Sequence, residues 1–153
     1  MLTAERYHDI SMGHRVVGHE NKCRHLHGHN YRVTFTVSMY GSDETDNIGR
    51  VMDFSVIKEK LCMWLEDNWD HKFLMWENDP IFIYFGSLYV PNDDDLSILD
   101  GSMVSVPFNP TAENMAKYLV DVIAPKQLMG TGVQLIACKV EETRKCSATY
   151  ILT

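Results

Sequence analysis

The sequence predicts an α+β fold, an antiparallel sheet with two helices on one face. Three observations point there. Strict apolar–polar alternation marks strands in the N-terminal third and again near the C-terminus. Two segments between them carry helical periodicity and N-cap residues. Their order is roughly strand, strand, helix, hairpin insert, helix, strand, strand.

Residues 1–12 form the first expected strand, with His14 at its end. In "NYRVTFTVSMY", Tyr31, Val33, Phe35, Val37 and Met39 point one way, and Arg32, Thr34, Thr36 and Ser38 the other. "GSDETDNIG" is a turn. "DFSVIKEKLCMWLEDNW" predicts a helix, with Asp53 as N-cap and Phe54, Ile57, Leu61, Trp64 and Leu65 as its apolar stripe. An irregular insert follows at about 75–108. Within it "IFIYFGSLYV" suggests a hairpin around Gly86-Ser87, "PNDDDLS" an exposed loop and "GSMVSVPF" a strand. "NPTAENMAKYLVDVIAP" predicts the second helix. Asn109 or Thr111 caps it, Met115, Leu119, Val122 and Ile123 line its buried stripe, and Pro125 ends it or lies just past its end. "GVQLIACKV" and "ATYIL" are the last two strands. The 153 residues suit a single domain spanning 1–153.

Composition narrows the function. A formal charge of −7 argues against nucleic-acid binding and against adsorption to an anionic membrane surface. No stretch approaches the roughly 20 apolar residues of a membrane span. The cysteines Cys23, Cys62, Cys138 and Cys146 contain no CxxC pair, and the N-terminus has no signal-peptide pattern. These features point to free thiols and a cytoplasmic location.

The chemistry concentrates in "KCRHLHGHNY", 22–31. His27 and His29 lie two apart, so an extended chain points both the same way, about 6–7 Å apart. Their parity continues into Tyr31, Val33 and Phe35, which sets the imidazoles at the mouth of the buried face. Two loop histidines would give the same pattern without a metal; the apolar continuation and the nearby Cys23 favour one. His14 is the leading third ligand, with His8, His19 and His25 as competitors. Three histidines would leave a catalytic zinc site open, whereas Cys23 as a fourth ligand would close it into a structural one. Asp70-His71 is a possible acid–base unit, although a histidine near a helix C-terminus is favoured by the dipole alone. Glu141 and Glu142 follow a strand, where adjacent acids commonly make a solvated turn. Cys62 and Cys138 fit packing positions.

Taken together, "GHR" (His14), "CRHLHGHNY" (Cys23, His27, His29), "DF" (Asp53-Phe54), "DHKFL" (Asp70-His71), "NPTAEN" (Thr111, Glu113) and "EET" (Glu142) span nearly the whole chain. In this order and spacing the chain resembles the 6-pyruvoyl-tetrahydropterin synthase family, whose bacterial branch makes 6-carboxy-tetrahydropterin. The resemblance implies the tunnelling fold (T-fold), whose subunits close a β-barrel as trimers and pair into a homohexamer with sites at subunit interfaces. It implies Zn2+ on His14, His27 and His29, with Cys23 as the proton-abstracting base and Asp70 and His71 as the pair handling the other proton. Glu142 would grip the pterin and join the charge relay, and Thr111, Glu113 and Thr143 would line its pocket. The implied substrate is the pterin triphosphate 7,8-dihydroneopterin triphosphate, with Arg15, Lys22 and Arg24 as the nearest cations for its phosphates. Positions 23–26 contain no acid, which disfavours the aldolase-like branch. The short N-terminus and compact chain favour the carboxy branch, of bacterial or viral type, which releases acetaldehyde and triphosphate and feeds 7-deazaguanine (queuosine) synthesis. The pyruvoyl synthase and an inactive pterin-binding protein are the alternatives. The chain departs from many relatives at Met12-Gly13 and in the longer insert.

Overall fold

The computed structural model describes residues 1–82, 84 and 101–153. Strand β1 (Ala4–His14) is followed by a 3-10 turn (Lys22–Arg24) and β2 (His27–Met39). Helix α1 covers 54–68, with a π-helical segment (Lys58–Cys62) between Phe54–Ile57 and Met63–Asn68. Short strands β3 (Phe73–Trp76) and β4 (Met103–Val106) come next. Helix α2 covers 112–127 and is π-helical over Leu119–Ile123; β5 (Val133–Thr143) and β6 (Cys146–Ile151) close the chain. The expected hairpin and the "PNDDDLS" loop lie outside the described residues.

One six-stranded sheet is formed, in the order β4-β3-β1-β2-β5-β6. Its four long strands are antiparallel, as the alternation implied. The two short strands add in parallel at one edge, β3 beside β1 and β4 beside β3. Strand β2 ends opposite the start of β1, whereas β3 pairs with the far end of β1 at Gly13 and His14, and helix α1 spans that distance.

The apolar face of β2 is the floor of the core. Tyr31, Val33, Phe35 and Val37 are buried there beneath Ile57, Leu61 and Leu65 of α1 and Met115, Leu119 and Ile123 of α2. Burying each such side chain contributes about 1.5–3 kcal/mol. The opposite face is polar and crossed by strand-to-strand pairs, such as Arg32 with Asp9 at 2.8 Å and Thr36 with Glu5 at 3.0 Å.

Both helices start as expected. Asp53 accepts from the Ser55 backbone N–H at 2.8 Å, and Thr111, rather than Asn109, caps α2 by accepting from Asn114 N–H at 3.2 Å. Two expectations need correction. Phe54 is exposed and lies outside the core. Helix α2 also runs past Pro125 to Gln127, because the π segment just before the proline widens the turn. A wide turn relaxes the clash between the ring and the preceding carbonyls that ends a regular helix.

Candidate metal centre

The site is a product of strand register. Antiparallel pairing of β1 with β2 sets His14 opposite His27 and Met12 opposite His29. The three imidazoles emerge on the core face, at its mouth, and Tyr31 lies beneath them with ring centroids 5.8 Å from His14 and 5.3 Å from His29. Gly28 is obligatory at this crossing. A Cβ there would lie 2.9 Å from the Met12 carbonyl oxygen.

One potential ligand nitrogen from each of His14, His27 and His29 lies within 4.8 Å of the other two. Cys23 is not part of this group, so the arrangement is a three-histidine one with an open side. The competing histidines are otherwise engaged. His8 Nε2 meets Glu66 at 2.6 Å and His19 Nδ1 accepts from Asn21 N–H at 2.9 Å, while His25 is exposed and lends only its backbone carbonyl, to His27.

The hydrogen bonds fix the ring orientations. His14 Nδ1 donates to the Pro110 carbonyl at 2.7 Å and His27 Nδ1 donates to the His25 carbonyl at 2.7 Å. Each neutral ring then presents a lone pair at Nε2, and these two nitrogens stand 3.1 Å apart. Two facing lone pairs repel unless a cation lies between them. His29 Nε2 is buried and makes no hydrogen bond. Nitrogens bound at about 2.0–2.1 Å to a tetrahedral ion are roughly 3.3 Å apart, so the donor set fits a divalent metal.

Electrostatics favour the same state. Burial draws the pKa of His14 down to about 4, against the pull of the Pro110 carbonyl and with help from His27 and His29. Burial also lowers that of His29, opposed by Glu142 and reinforced by His27. Both rings are therefore neutral near pH 7, as ligands must be.

Glu142 completes this end of the sheet. Cys138, Val140 and Glu142 share one face of β5, and the register shift against β6 between Glu141 and Thr143 falls at that carboxylate. Its oxygens lie 3.8 Å from His14 Nε2 and 3.8 Å from His29 Nε2. The two acids thus belong to the strand itself, and Glu142 faces the histidines where a solvated turn was the simpler expectation. A cleft of about 270 Å³ brings together Cys23, Thr111, Glu113, Glu142 and Cys146. Cys23 is half-buried there.

Asp70 and His71 are assembled as a dyad but stand apart from this cleft. His71 Nδ1 donates to Asp70 Oδ2 at 2.7 Å, while the edge of β1 clamps both, Ser11 N–H to Asp70 Oδ1 at 2.9 Å and His71 N–H to the Ser11 carbonyl at 2.7 Å. His71 has a φ of 58°, a left-handed conformation uncommon outside glycine. Its side chain is 81% exposed and hydrogen-bonds to Asp70, not to any of the three histidines.

Sequence reasoning missed two supports. Tyr31 was expected as core and is, yet its buried hydroxyl has no partner and its pKa is raised by burial, then by Glu142 and Cys23, so it borders the site. Asn109 fastens the chain after His14 to the start of α2 through Val17, accepting from its N–H at 2.9 Å and donating to its carbonyl at 2.8 Å. The "NPT" motif was the available signal for this brace.

The description of the 6-pyruvoyl tetrahydropterin synthase family matches residues 3–152. The chain belongs to this family. It is 33% identical over 153 residues to a 6-carboxy-5,6,7,8-tetrahydropterin synthase of Rickettsia typhi, covering 95% of this chain and 97% of that one. It is 35% identical over 136 residues to the enzyme of the same name from Aquifex aeolicus, covering 85% and 76%. Among solved structures, an uncharacterised protein from Wolinella succinogenes aligns with a TM-score of 0.83 at 24% identity, covering 98% of this chain and 97% of that one. The Caenorhabditis elegans 6-pyruvoyl tetrahydropterin synthase aligns at 0.64 and 22%, covering 99% and 96%. These two likenesses establish the T-fold expected from the sequence. No helix among the described residues is long and apolar enough to cross a membrane.

Proposed function

We propose that the chain is a zinc-dependent lyase of the 6-carboxy-5,6,7,8-tetrahydropterin synthase type, converting 7,8-dihydroneopterin triphosphate to the carboxy pterin, acetaldehyde and triphosphate. The observation that carries this is the meeting of the His14 and His27 Nε2 lone pairs at 3.1 Å beside the unpartnered Nε2 of His29, open toward Glu142 and the Cys23 cleft. The names of the family relatives over most of the chain favour the carboxy product.

His14, His27 and His29 would hold the zinc, which when bound supplies Lewis-acid polarisation of the substrate's side-chain oxygens. Cys23 takes a proton from the pterin side chain as its thiolate. Glu142 accepts hydrogen bonds from the guanidine-like edge of the ring, and Thr111 and Glu113 line the same cleft, so the ring is held in one pose. His71, held by Asp70, delivers or takes the second proton. Because His71 is exposed and does not line the Cys23 cleft of its own chain, it would serve the site of a neighbouring copy. A homohexamer of two trimers would allow this. Unpaired stretches of sheet edge among the described residues support barrel closure, among them the outer side of β6 and residues 4–10 of β1.

The test is product analysis. Zinc-loaded protein is incubated with 7,8-dihydroneopterin triphosphate without reductant, and products are identified by mass spectrometry. Carboxy pterin with acetaldehyde is expected, and Cys23→Ala should abolish it while keeping the metal. Pyruvoyl pterin alone would move the chain to the other synthase. Bound pterin without turnover would leave only a binding protein.

A further inference from the structure

Arg15 directly follows His14 in the sequence, which suggests the phosphate end of a substrate. Its contacts say otherwise. Nε donates to Asp79 Oδ2 at 2.5 Å and Nη2 to Asp79 Oδ1 at 2.8 Å, a two-pronged fork. Nη1 donates to the Arg24 carbonyl at 3.1 Å. All three guanidinium nitrogens thus hold protein acceptors. Asp79, whose side chain is 1% exposed, also accepts from Ile81 N–H at 2.9 Å. Three of the five guanidinium N–H groups are thus engaged and the charge is already matched by a buried carboxylate, its only counter-charge among the described residues, which makes Arg15 a poor phosphate ligand.

The fork instead joins three pieces of chain: the end of β1 at His14, the turn carrying Cys23, and the segment after β3. A backbone bond from Val16 N–H to the Cys23 carbonyl at 2.8 Å lies beside it, so the Cys23 turn is held on both sides, at its own carbonyl and at that of Arg24. Lysine could not replace this arginine, because only a planar fork can hold a carboxylate with two nitrogens and a carbonyl with the third.

We propose that Asp79, through Arg15, is a positioning residue that holds the Cys23 thiol in the cleft beside Glu142. This rests on Cys23 being the base in the lyase proposed above.

The test uses zinc-loaded full chain carrying Arg15→Lys, Asp79→Asn, or both. Arg15→Lys keeps a positive charge beside Asp79 and so preserves the fold while cutting the tie to Arg24. Zinc stoichiometry and far-UV circular dichroism verify that each variant is folded. Iodoacetamide alkylation of Cys23 is followed by peptide mass spectrometry, with exposed Cys146 as the internal reference. The Cys23-to-Cys146 rate ratio should change by about threefold or more in each single variant, and no further in the double variant. With substrate, kcat should fall roughly tenfold to a hundredfold while KM stays within about twofold. An unchanged alkylation ratio in folded Arg15→Lys would overturn the proposal. So would a raised KM in Arg15→Lys with Asp79→Asn behaving as wild type, since that pattern means phosphate binding. The alkylation needs no substrate, so its outcome stands even if the wild-type chain proves inactive and the lyase assignment falls.

Discussion

Gly28→Ala isolates the link between strand register and metal binding. The added Cβ would sit 2.9 Å from the Met12 carbonyl oxygen and 3.5 Å from the Gly13 Cα. Carbon and oxygen normally approach no closer than roughly 3.2–3.4 Å, so the two strands must part by several tenths of an ångström. Both obstacles are backbone, and no rotamer change relieves them. Overpacking of this kind costs about 1–3 kcal/mol. His27 and His29 flank the glycine and face His14 across the same gap, so their nitrogens move with the strand. A metal site tolerates only about 0.2 Å of such displacement. The variant should therefore melt lower without metal, and should bind zinc at least roughly tenfold more weakly in competition with a chromogenic chelator. Gly13→Ala is the comparison. Its Cβ would meet the side chain of Phe73 at 2.5 Å, and a ring can swing aside where a carbonyl cannot. Wild-type zinc affinity together with a stability change under about 0.5 kcal/mol in Gly28→Ala would refute the steric reasoning.

Other outcomes follow from the same geometry. Tyr31→Phe removes a buried hydroxyl that lacks a partner, so thermal unfolding of the metal-free variant should equal wild type or exceed it by up to about 1 kcal/mol; a clear loss would mean the hydroxyl has a structural role. For the metal-free chain, His14 has a folded-state pKa of about 4 against 6.5 when unfolded. Its contribution is full above pH 6.5 and declines as pH falls toward 4, so about 3 kcal/mol should be lost across that window in urea unfolding; flat stability there would contradict the burial argument. Removing zinc with a chelator should lower the melting temperature without abolishing folding, because the core lies below the histidines, whereas a fully unfolded apo chain by circular dichroism would make the metal structural.

The alternating run from Tyr31 to Val37 was legible because a strand with one buried face writes its parity directly into the sequence. The same parity carried His27 and His29 to the edge of that face, and local caps marked the starts of α1 and α2. Glu142 was half-legible, since the alternation Cys138, Val140, Glu142 continues the buried face, yet two adjacent acids also resemble a turn. Choosing His14 over His8, His19 and His25 required the β1–β2 register, which pairs it with His27 across 13 positions of sequence. The bond that aims His14 comes from Pro110, 96 residues away. Arg15 shows the same division, since its charge is plain in the sequence while its engagement by Asp79, 64 residues on, is not. Periodicity and capping act within a few residues and are encoded locally. Which side chains converge on one point, and which charges are already held, depends on contacts between distant segments that only the folded chain brings together.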